Sequence, residues 1–497
     1  MQYQNPVIRG YYPDPSVCKA GGRYFLVASS FQFFPGVPLF ESGDLVNWRQ
    51  IGFCLTRESQ LPLEGIKTSC GIYAPTIRYN EGRFYMVTTN VGGGGNFYVY
   101  TDDIYGEWSE PVFVDQGGID PSLYFENGKA YFMSNGTDTD GKNAIFQCEI
   151  DIADGKKLTE SALVWHGAGG RFLESPHLYK IKNEYYLTAA EGGTEYGHMV
   201  VYAKGGSLWG PFTPYAHNPV VTNRNLGSYQ LQGVGHADLI EDSNSNWWMY
   251  ALAFRQINKS TAYHHLGRET CLMPVTFDQD GWFTVDDGTA RLVVETDRIP
   301  QTVKQQFPSR YSFAEAEWNR EWQFVRVCKK ENYIFGKGNV KIKSSGDTLD
   351  TPDGNPSFLG LHQKEFNMEL SFCVKALDGE AGVTVYMDEN HHYDLALLQN
   401  GGTYRAALRL NIGDIKHEKA VVPVSHSEVR LRIRSDAVHY TFSFIEDGLE
   451  TVLGTGQAKY LSSEVAGGFT GVLLGLYSQG AHSGLFNEFY DFECSYS

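Results

Sequence analysis

Asp14 in YPDPS, Asp120 in IDPSL and Glu174 in ESPH are the residues of this sequence best suited to chemistry. A pair of carboxyl groups can work from both ends of a bond. One, kept neutral, protonates a departing oxygen, and the other, ionised, activates water or attacks the neighbouring carbon. Hydrolysis of a glycosidic bond needs such a pair. Each residue also has a plainer reading. An Asp before Pro caps turns at strand starts. Glu is a poor strand former, so Glu174 between Leu173 and the apolar run PHLY also reads as a solvated strand end.

What separates these readings is a repeat. Five segments share one pattern: DPSVCKAGGRYFLVAS from Asp14, APTIRYNEGRFYMVTT from Ala74, DPSLYFENGKAYFMSN from Asp120, SPHLYKIKNEYYLTAA from Ser175 and HADLIEDSNSNWWMYA from His236. With Pro15, Pro75, Pro121, Pro176 and Ala237 in register, an aromatic follows ten residues later in every copy: Phe25, Tyr85, Tyr131, Tyr186 and Trp247. Trp48, Trp108 and Trp209 stand thirty-three residues after three of the register positions. Turn signals such as AGG, NEG and ENG divide each unit into a hairpin. A unit of about 45–60 residues holds four short strands, one blade of a propeller, and no blade can bury both its faces alone. The expected fold is all-β: a five-bladed β-propeller over residues 1–300, a linker at 301–310 and an antiparallel β-sandwich over 311–497. The sandwich reading rests on alternating strands such as FNMELSFCV, YRAALRLNI and YTFSFIED, and the expected type is concanavalin- or laminin-G-like.

In a propeller the first strand of each blade lines the central channel. The register then brings Asp14, Tyr73, Ala74, Asp120, Glu174, Ser175 and His236 toward one point. Carboxylates crowded there cannot all ionise, and one raised pKa would suit a general acid. Glu174, with the longer side chain, is the better candidate, although it stands one residue before the register place, which Ser175 holds. His236 could hold a metal, orient water or fill the core. Arg268 in HLGRETC could bind sugar hydroxyls, pair with a channel carboxylate, or make a surface ion pair. Phe31, Phe33, Phe34 and Tyr73 could form sugar-stacking walls or pack between blades.

The composition agrees. The 497 residues include 31 Tyr, 30 Phe and 54 Gly, which suits strands and turns. The formal net charge of −17 opposes binding to phosphate backbones, so no nucleic acid partner is expected, whereas a neutral ligand would be indifferent to it. Eight scattered cysteines without a CxxC pair argue for free thiols and the cytoplasm. The N-terminus MQYQNPVIRG lacks the pattern of a secretory signal, and no apolar run of ~18 residues suggests a membrane span.

In order along the chain, NPVIRGYYPDPS, SSFQFFPGVPLFESGDLVNW, GIYAPTI, GGIDPSLY, ESPHLYK, QGVGHADLI and HLGRET resemble the motifs of glycoside hydrolase family 43, in particular its β-xylosidase and α-L-arabinofuranosidase members. The resemblance implies an inverting, exo-acting glycosidase that releases β-D-xylose or α-L-arabinofuranose from small oligosaccharides. Asp14 would be the general base, Glu174 the general acid, and Asp120 the residue tuning and positioning that acid. A water between Asp14 and the sugar implies a carboxyl separation of ~6.5–9.5 Å. The match at GHADL implies that His236 sits near a calcium ion or a water in the channel. The match at GRET places Arg268 on the innermost sugar, and GGFTG, with Phe469, resembles a sandwich loop that closes the site. One departure stands out: similar xylosidases carry Trp where this chain has Tyr73. The competing expectation is a non-catalytic carbohydrate-binding propeller. A retaining fructosidase is disfavoured because no WMNDPN-type motif is present. A homo-oligomer is compatible with the sequence.

Overall fold

The computed structural model describes residues 1–259, 261–299, 307–308, 310–311, 313, 320–480 and 484–497. Most of the segment read as a linker, 301–310, lies outside the described residues. The molecule is almost wholly β-structure, as read from the sequence. Five small antiparallel sheets carry the repeat. They begin with the strands Ser16–Ala20, Thr76–Asn80, Ser122–Glu126, Glu174–Ile181 and Leu231–Glu241. Each of these touches the corresponding strand of the blade before and after, so the five form a closed ring around the axis. The register aromatics Phe25, Tyr85, Tyr131, Tyr186 and Trp247 all fall on the second strand of their blades. Packed against the next blade, the first four bury the faces that one sheet leaves open, and in the fifth blade Trp248 takes that place against the first.

The ring is fastened by the start of the chain. Gln2–Gln4 pairs antiparallel with Val293–Glu295. The Asn5 amide donates to the carbonyls of Leu272 and Arg291, and its Oδ1 accepts from the Leu272 N–H.

The second unit stacks a seven-stranded sheet on a six-stranded one, with a dry core between them. That core runs without a break into the first two blades, so the two units share one apolar cluster. Phe33–Phe34 pairs antiparallel with Phe324–Val325 across the junction. Phe33 and Phe34, read from the sequence as candidate sugar walls, therefore serve the junction instead. Arg255 adds a polar clamp: its guanidinium holds Glu269 of the fifth blade, and Nη2 donates to the Lys364 carbonyl of the sandwich. All eight cysteines are free and six are buried. Among the described residues no helix is long and apolar enough to cross a membrane.

Candidate active site

The register residues converge as expected, through an unusual backbone. Asp14, Asp120, Ser175 and His236 all have left-handed φ, between 51° and 59°. Such a conformation costs a non-glycine residue roughly 1–3 kcal/mol and persists only where the surroundings enforce it. Its effect is to turn the chain sharply as it enters the innermost strand. Glu174 reaches the same point by another device. Its strand starts at Glu174 opposite Ala190, then bulges before His177 pairs with Thr188. The extra residue re-aims the side chain, so the offset of one position does not remove Glu174 from the channel.

The contacts define the roles open to each group. Asp14 is 5% exposed and accepts from the Ser29 hydroxyl at 2.5 Å and from Arg268 Nη1 at 3.2 Å. His236 Nδ1 lies 3.5 Å from Asp14 and 3.9 Å from Asp120. Asp120 accepts the backbone N–H of Ser175 at 3.2 Å, which ties it to the residue next to Glu174. Burial would raise the Asp14 carboxyl, but Arg268, His236 and the Ser29 hydroxyl outweigh it and hold the pKa below its usual value. Burial pushes Glu174 up to about 7, with the charge of Asp14 adding to the shift and Arg268 opposing it. Asp120 is also raised, by burial and by repulsion from Glu174 and Asp14. Asp14 is thus favoured in its ionised form, while burial and mutual repulsion push Glu174 and Asp120 toward their neutral forms. This is the separation of protonation states that acid–base catalysis requires.

Aromatic rings enclose this group. Phe31 stacks on Tyr11 at 5.6 Å and meets Tyr73 and Phe469 edge-on or tilted at 5.5 and 5.4 Å. The Arg268 guanidinium lies 5.5 Å from the Phe31 ring and 5.0 Å from that of Phe469. Its Nη1 also donates to Thr194 Oγ1 at 2.9 Å, but Nη2 is buried with no protein partner. A buried unpaired donor costs about 1–3 kcal/mol, more if charged, which a ligand hydroxyl would relieve. Phe469 arrives from the sandwich on the loop the sequence marked as GGFTG. Its N–H donates to Ser69 Oγ at 2.8 Å and its carbonyl accepts from the Tyr11 hydroxyl at 2.5 Å. The same loop is anchored at His264, whose carbonyl accepts from Ser463, and at His265, whose carbonyl accepts from Val472. Glu464 bonds the His264 ring at 2.8 Å and accepts from the Tyr196 hydroxyl at 2.8 Å.

Ser29, Thr194, Tyr11 and Ser69 were not singled out in the sequence. Only Tyr11 carried a signal, since it adjoins the opening motif. A deeper polar layer was also missed. Strand side chains alternate, so two and four residues beyond the register places the chain faces the channel again, about 6.6 Å further down per step. Ser16, Arg78, His177, Tyr179 and Asp238 occupy such places. Fully buried Asp238 accepts Ser16 Oγ at 2.6 Å, Tyr179 Oη at 2.5 Å and two Arg78 nitrogens at 2.8 and 3.2 Å. His177, pushed down to about 3 by burial, is neutral and accepts Arg78 Nη2 at 2.9 Å.

This layer bears on the calcium ion that the motif around His236 implied. Calcium takes six to eight oxygen ligands. His236 offers one imidazole, and among the described residues no group of three or more His, Cys, Asp or Glu side chains could hold a metal. The layer beneath already carries the cationic Arg78. That cation opposes a second one here, and His236 lies within 3.9 Å of both Asp14 and Asp120 and contributes to the lowered pKa of Asp14.

Comparison with known proteins agrees with this geometry. Residues 3–283 match the model for glycosyl hydrolases family 43, and residues 310–494 match the beta xylosidase C-terminal concanavalin A-like domain. The chain is 37% identical to a non-reducing end alpha-L-arabinofuranosidase of Bacteroides ovatus, covering 99% of this chain and 95% of that one. It is 36% identical to a xylosidase/arabinosidase of Butyrivibrio fibrisolvens, covering 95% of each. A solved Bacteroides ovatus family 43 structure from a xyloglucan locus superposes with a TM-score of 0.93 at 36% identity over 100% of both chains. The xylan beta-1,4-xylosidase of Bacillus halodurans superposes at 0.92 with 27% identity, covering 99% of this chain and 100% of that one. The propeller and its appended sandwich are thus shared over the whole length, and the chain belongs to glycosyl hydrolases family 43.

Proposed function

We propose that the protein is an inverting, exo-acting glycosidase that releases terminal α-L-arabinofuranose, β-D-xylose or both from small plant oligosaccharides. The observation that carries this reading is the opposed protonation of Asp14 and Glu174 inside one aromatic-walled pocket. Asp14, kept ionised by Arg268 and His236, takes a proton from water as that water attacks the anomeric carbon. Glu174, neutral up to about pH 7, gives its proton to the leaving oxygen. Asp120, raised by burial and by the charges of Glu174 and Asp14, is the neighbouring carboxyl whose protonation is tied to that of the acid, and its bond to the Ser175 N–H helps to position it. Arg268 Nη2 is the free donor for a hydroxyl of the sugar being released.

Exo action is supported by the walls. Phe31 and Tyr73 come from the propeller and Phe469 from the sandwich, so rings of both units meet beside the carboxyl groups. The names of two relatives, an arabinofuranosidase and a xylosidase/arabinosidase, favour arabinofuranose as at least one of the sugars. Each relative reported is named as an enzyme, and none supports a non-catalytic propeller. The test is hydrolysis of paired nitrophenyl α-L-arabinofuranoside and β-D-xylopyranoside, with proton NMR of the freshly released sugar. Turnover of at least one substrate with inverted anomeric configuration is expected. Retention of configuration, or no turnover of either, would overturn the reading.

A further inference from the structure

Two residues before Glu174 stands a side chain that folding alone does not explain. Phe172 is 51% exposed and its φ is 53°, a left-handed conformation that an aromatic residue resists. An exposed apolar residue is ordinary and a strained one is uncommon; the two together beside a catalytic acid need a cause.

The surroundings hold this ring with care. The carboxylate of Glu191, 1% exposed, accepts the backbone N–H groups of Ala168, Gly169 and Gly170 at 2.7, 3.2 and 2.9 Å. Arg171 is zipped to Gly192 in both directions: the Gly192 N–H donates to the Arg171 carbonyl, and Arg171 Nε donates to the Gly192 carbonyl. The Phe172 ring lies over Gly193, where a Cβ would come within 2.9 Å of Cδ2, so glycine is needed there to seat it. The Arg171 guanidinium, paired with Glu195 at 3.1 Å, sits 5.1 Å from the ring centroid. One side of the ring is therefore backed and the rest left open. The place is close to the chemistry along both chain segments. Leu173 alone separates Phe172 from Glu174, and Gly193 precedes Thr194, which holds Arg268 against Asp14.

Glu174 protonates the oxygen of the group that departs, so that group must lie on the Glu174 side of the pocket. We propose that Phe172, backed by Arg171, is the platform for the leaving group, stacking on the sugar ring of the oligosaccharide next to the bond that is cut. This rests on the glycosidase reading above and adds the specificity-determining residue on the leaving-group side. Sugar rings present C–H faces that pack on aromatic rings, and a stiffly held ring gains more from such a contact than a mobile one.

The test compares two substrates of the same terminal sugar and anomer: an oligosaccharide, whose leaving group is a sugar, and the glycosyl fluoride, whose leaving group is fluoride and reaches no platform. F172A is expected to lower kcat/KM on the oligosaccharide by about tenfold or more and to leave the fluoride rate within about twofold of wild type. F172W is expected to restore the oligosaccharide rate. An equal loss on both substrates would mean that Phe172 only supports the fold of the site, and no loss on either would mean that it touches nothing; both results overturn the proposal. Failure of the wild-type protein on the fluorides of both sugars would instead overturn the glycosidase reading, and the two failures are told apart by that control.

Discussion

Two polar layers lie on the same propeller axis, built from the same five strands and about one strand step apart, yet they are organised in opposite ways. In the deeper layer every charge is answered. Asp238 is met by Arg78, Ser16 and Tyr179, and His177 is neutral and accepts from Arg78. In the upper layer three carboxyl groups share one guanidinium, two of them are raised in pKa, and Arg268 Nη2 and the Ser175 hydroxyl have no protein partner. The charged groups of the deeper layer satisfy one another and so fix the ring. The upper layer is left unsatisfied in a way that a substrate would correct. Position in the fold is thus a poor guide to function here, and the state of the hydrogen bonds is a good one.

This contrast makes opposite predictions for the two layers. The largest effect is expected above. Glu174→Ala and Asp14→Ala should each lower kcat about 10²–10⁴-fold on a sugar leaving group, and Glu174→Ala, which removes a crowded carboxyl, should leave the melting temperature unchanged or raised, whereas Asp14→Ala also takes the paired carboxylate from Arg268. A clear fall in thermal stability in Glu174→Ala would place that acid in the structural class instead. Below, Asp238→Ala should cost about 3–5 kcal/mol of stability, since it strands Arg78, while the protein that stays folded keeps its turnover number. Urea unfolding beside an assay of the folded fraction measures both. Phe469→Ala asks how much the sandwich contributes: an increase in KM of about tenfold with an intact propeller is expected, from loss of one aromatic wall and its contact with Arg268.

The pH profile sharpens the contrast further. Glu174 works only with its proton on, so activity should fall as pH rises through about 7, and the acid limb should lie below the ordinary carboxylate range because Asp14 is held down. Asp120 and Glu174 repel each other when both are ionised, so Asp120→Asn, which abolishes that repulsion, should move the alkaline limb to lower pH. A limb that stays in place would break the link between these two groups. The smallest expected effect is from chelation. With the cationic Arg78 in the deeper layer, EDTA should leave the rate unchanged, and a loss recovered by added calcium would overturn that expectation.

Much of this was legible in the sequence because the fold repeats. A register shared by five blades says which residues face the axis, and it placed Asp14, Asp120 and His236 correctly without any knowledge of distances. The offset of Glu174 is resolved by a bulge, a feature that pairing shows and composition does not. The deeper layer obeys the same register by the two-residue alternation of strands but was missed, and Arg78 inside an otherwise uncharged strand was the mark that could have shown it. Ser29, Thr194 and Glu191 left no such trace. Each does one job once, in a loop or at a strand end, and a residue that repeats nowhere is recognisable only from its contacts. Phe33 and Phe34 failed for a related reason: their sequence neighbourhood matches that of Phe31, but Phe324–Val325 from a distant part of the chain claims them.

The fastening of the ring also has a consequence in time. Asp14 meets Arg268 only after the strand Val293–Glu295 has been made and paired with Gln2–Gln4, and Phe469 belongs to a loop anchored as late as Val472. Contacts this far apart in sequence form late and slowly. At a synthesis rate of about 5–20 residues per second, roughly 10–35 s separate a closed ring from a finished pocket. The nascent enzyme therefore passes through an interval in which its acids are assembled but its wall is missing, and the last tenth of the chain to emerge is what turns a folded propeller into a complete active site.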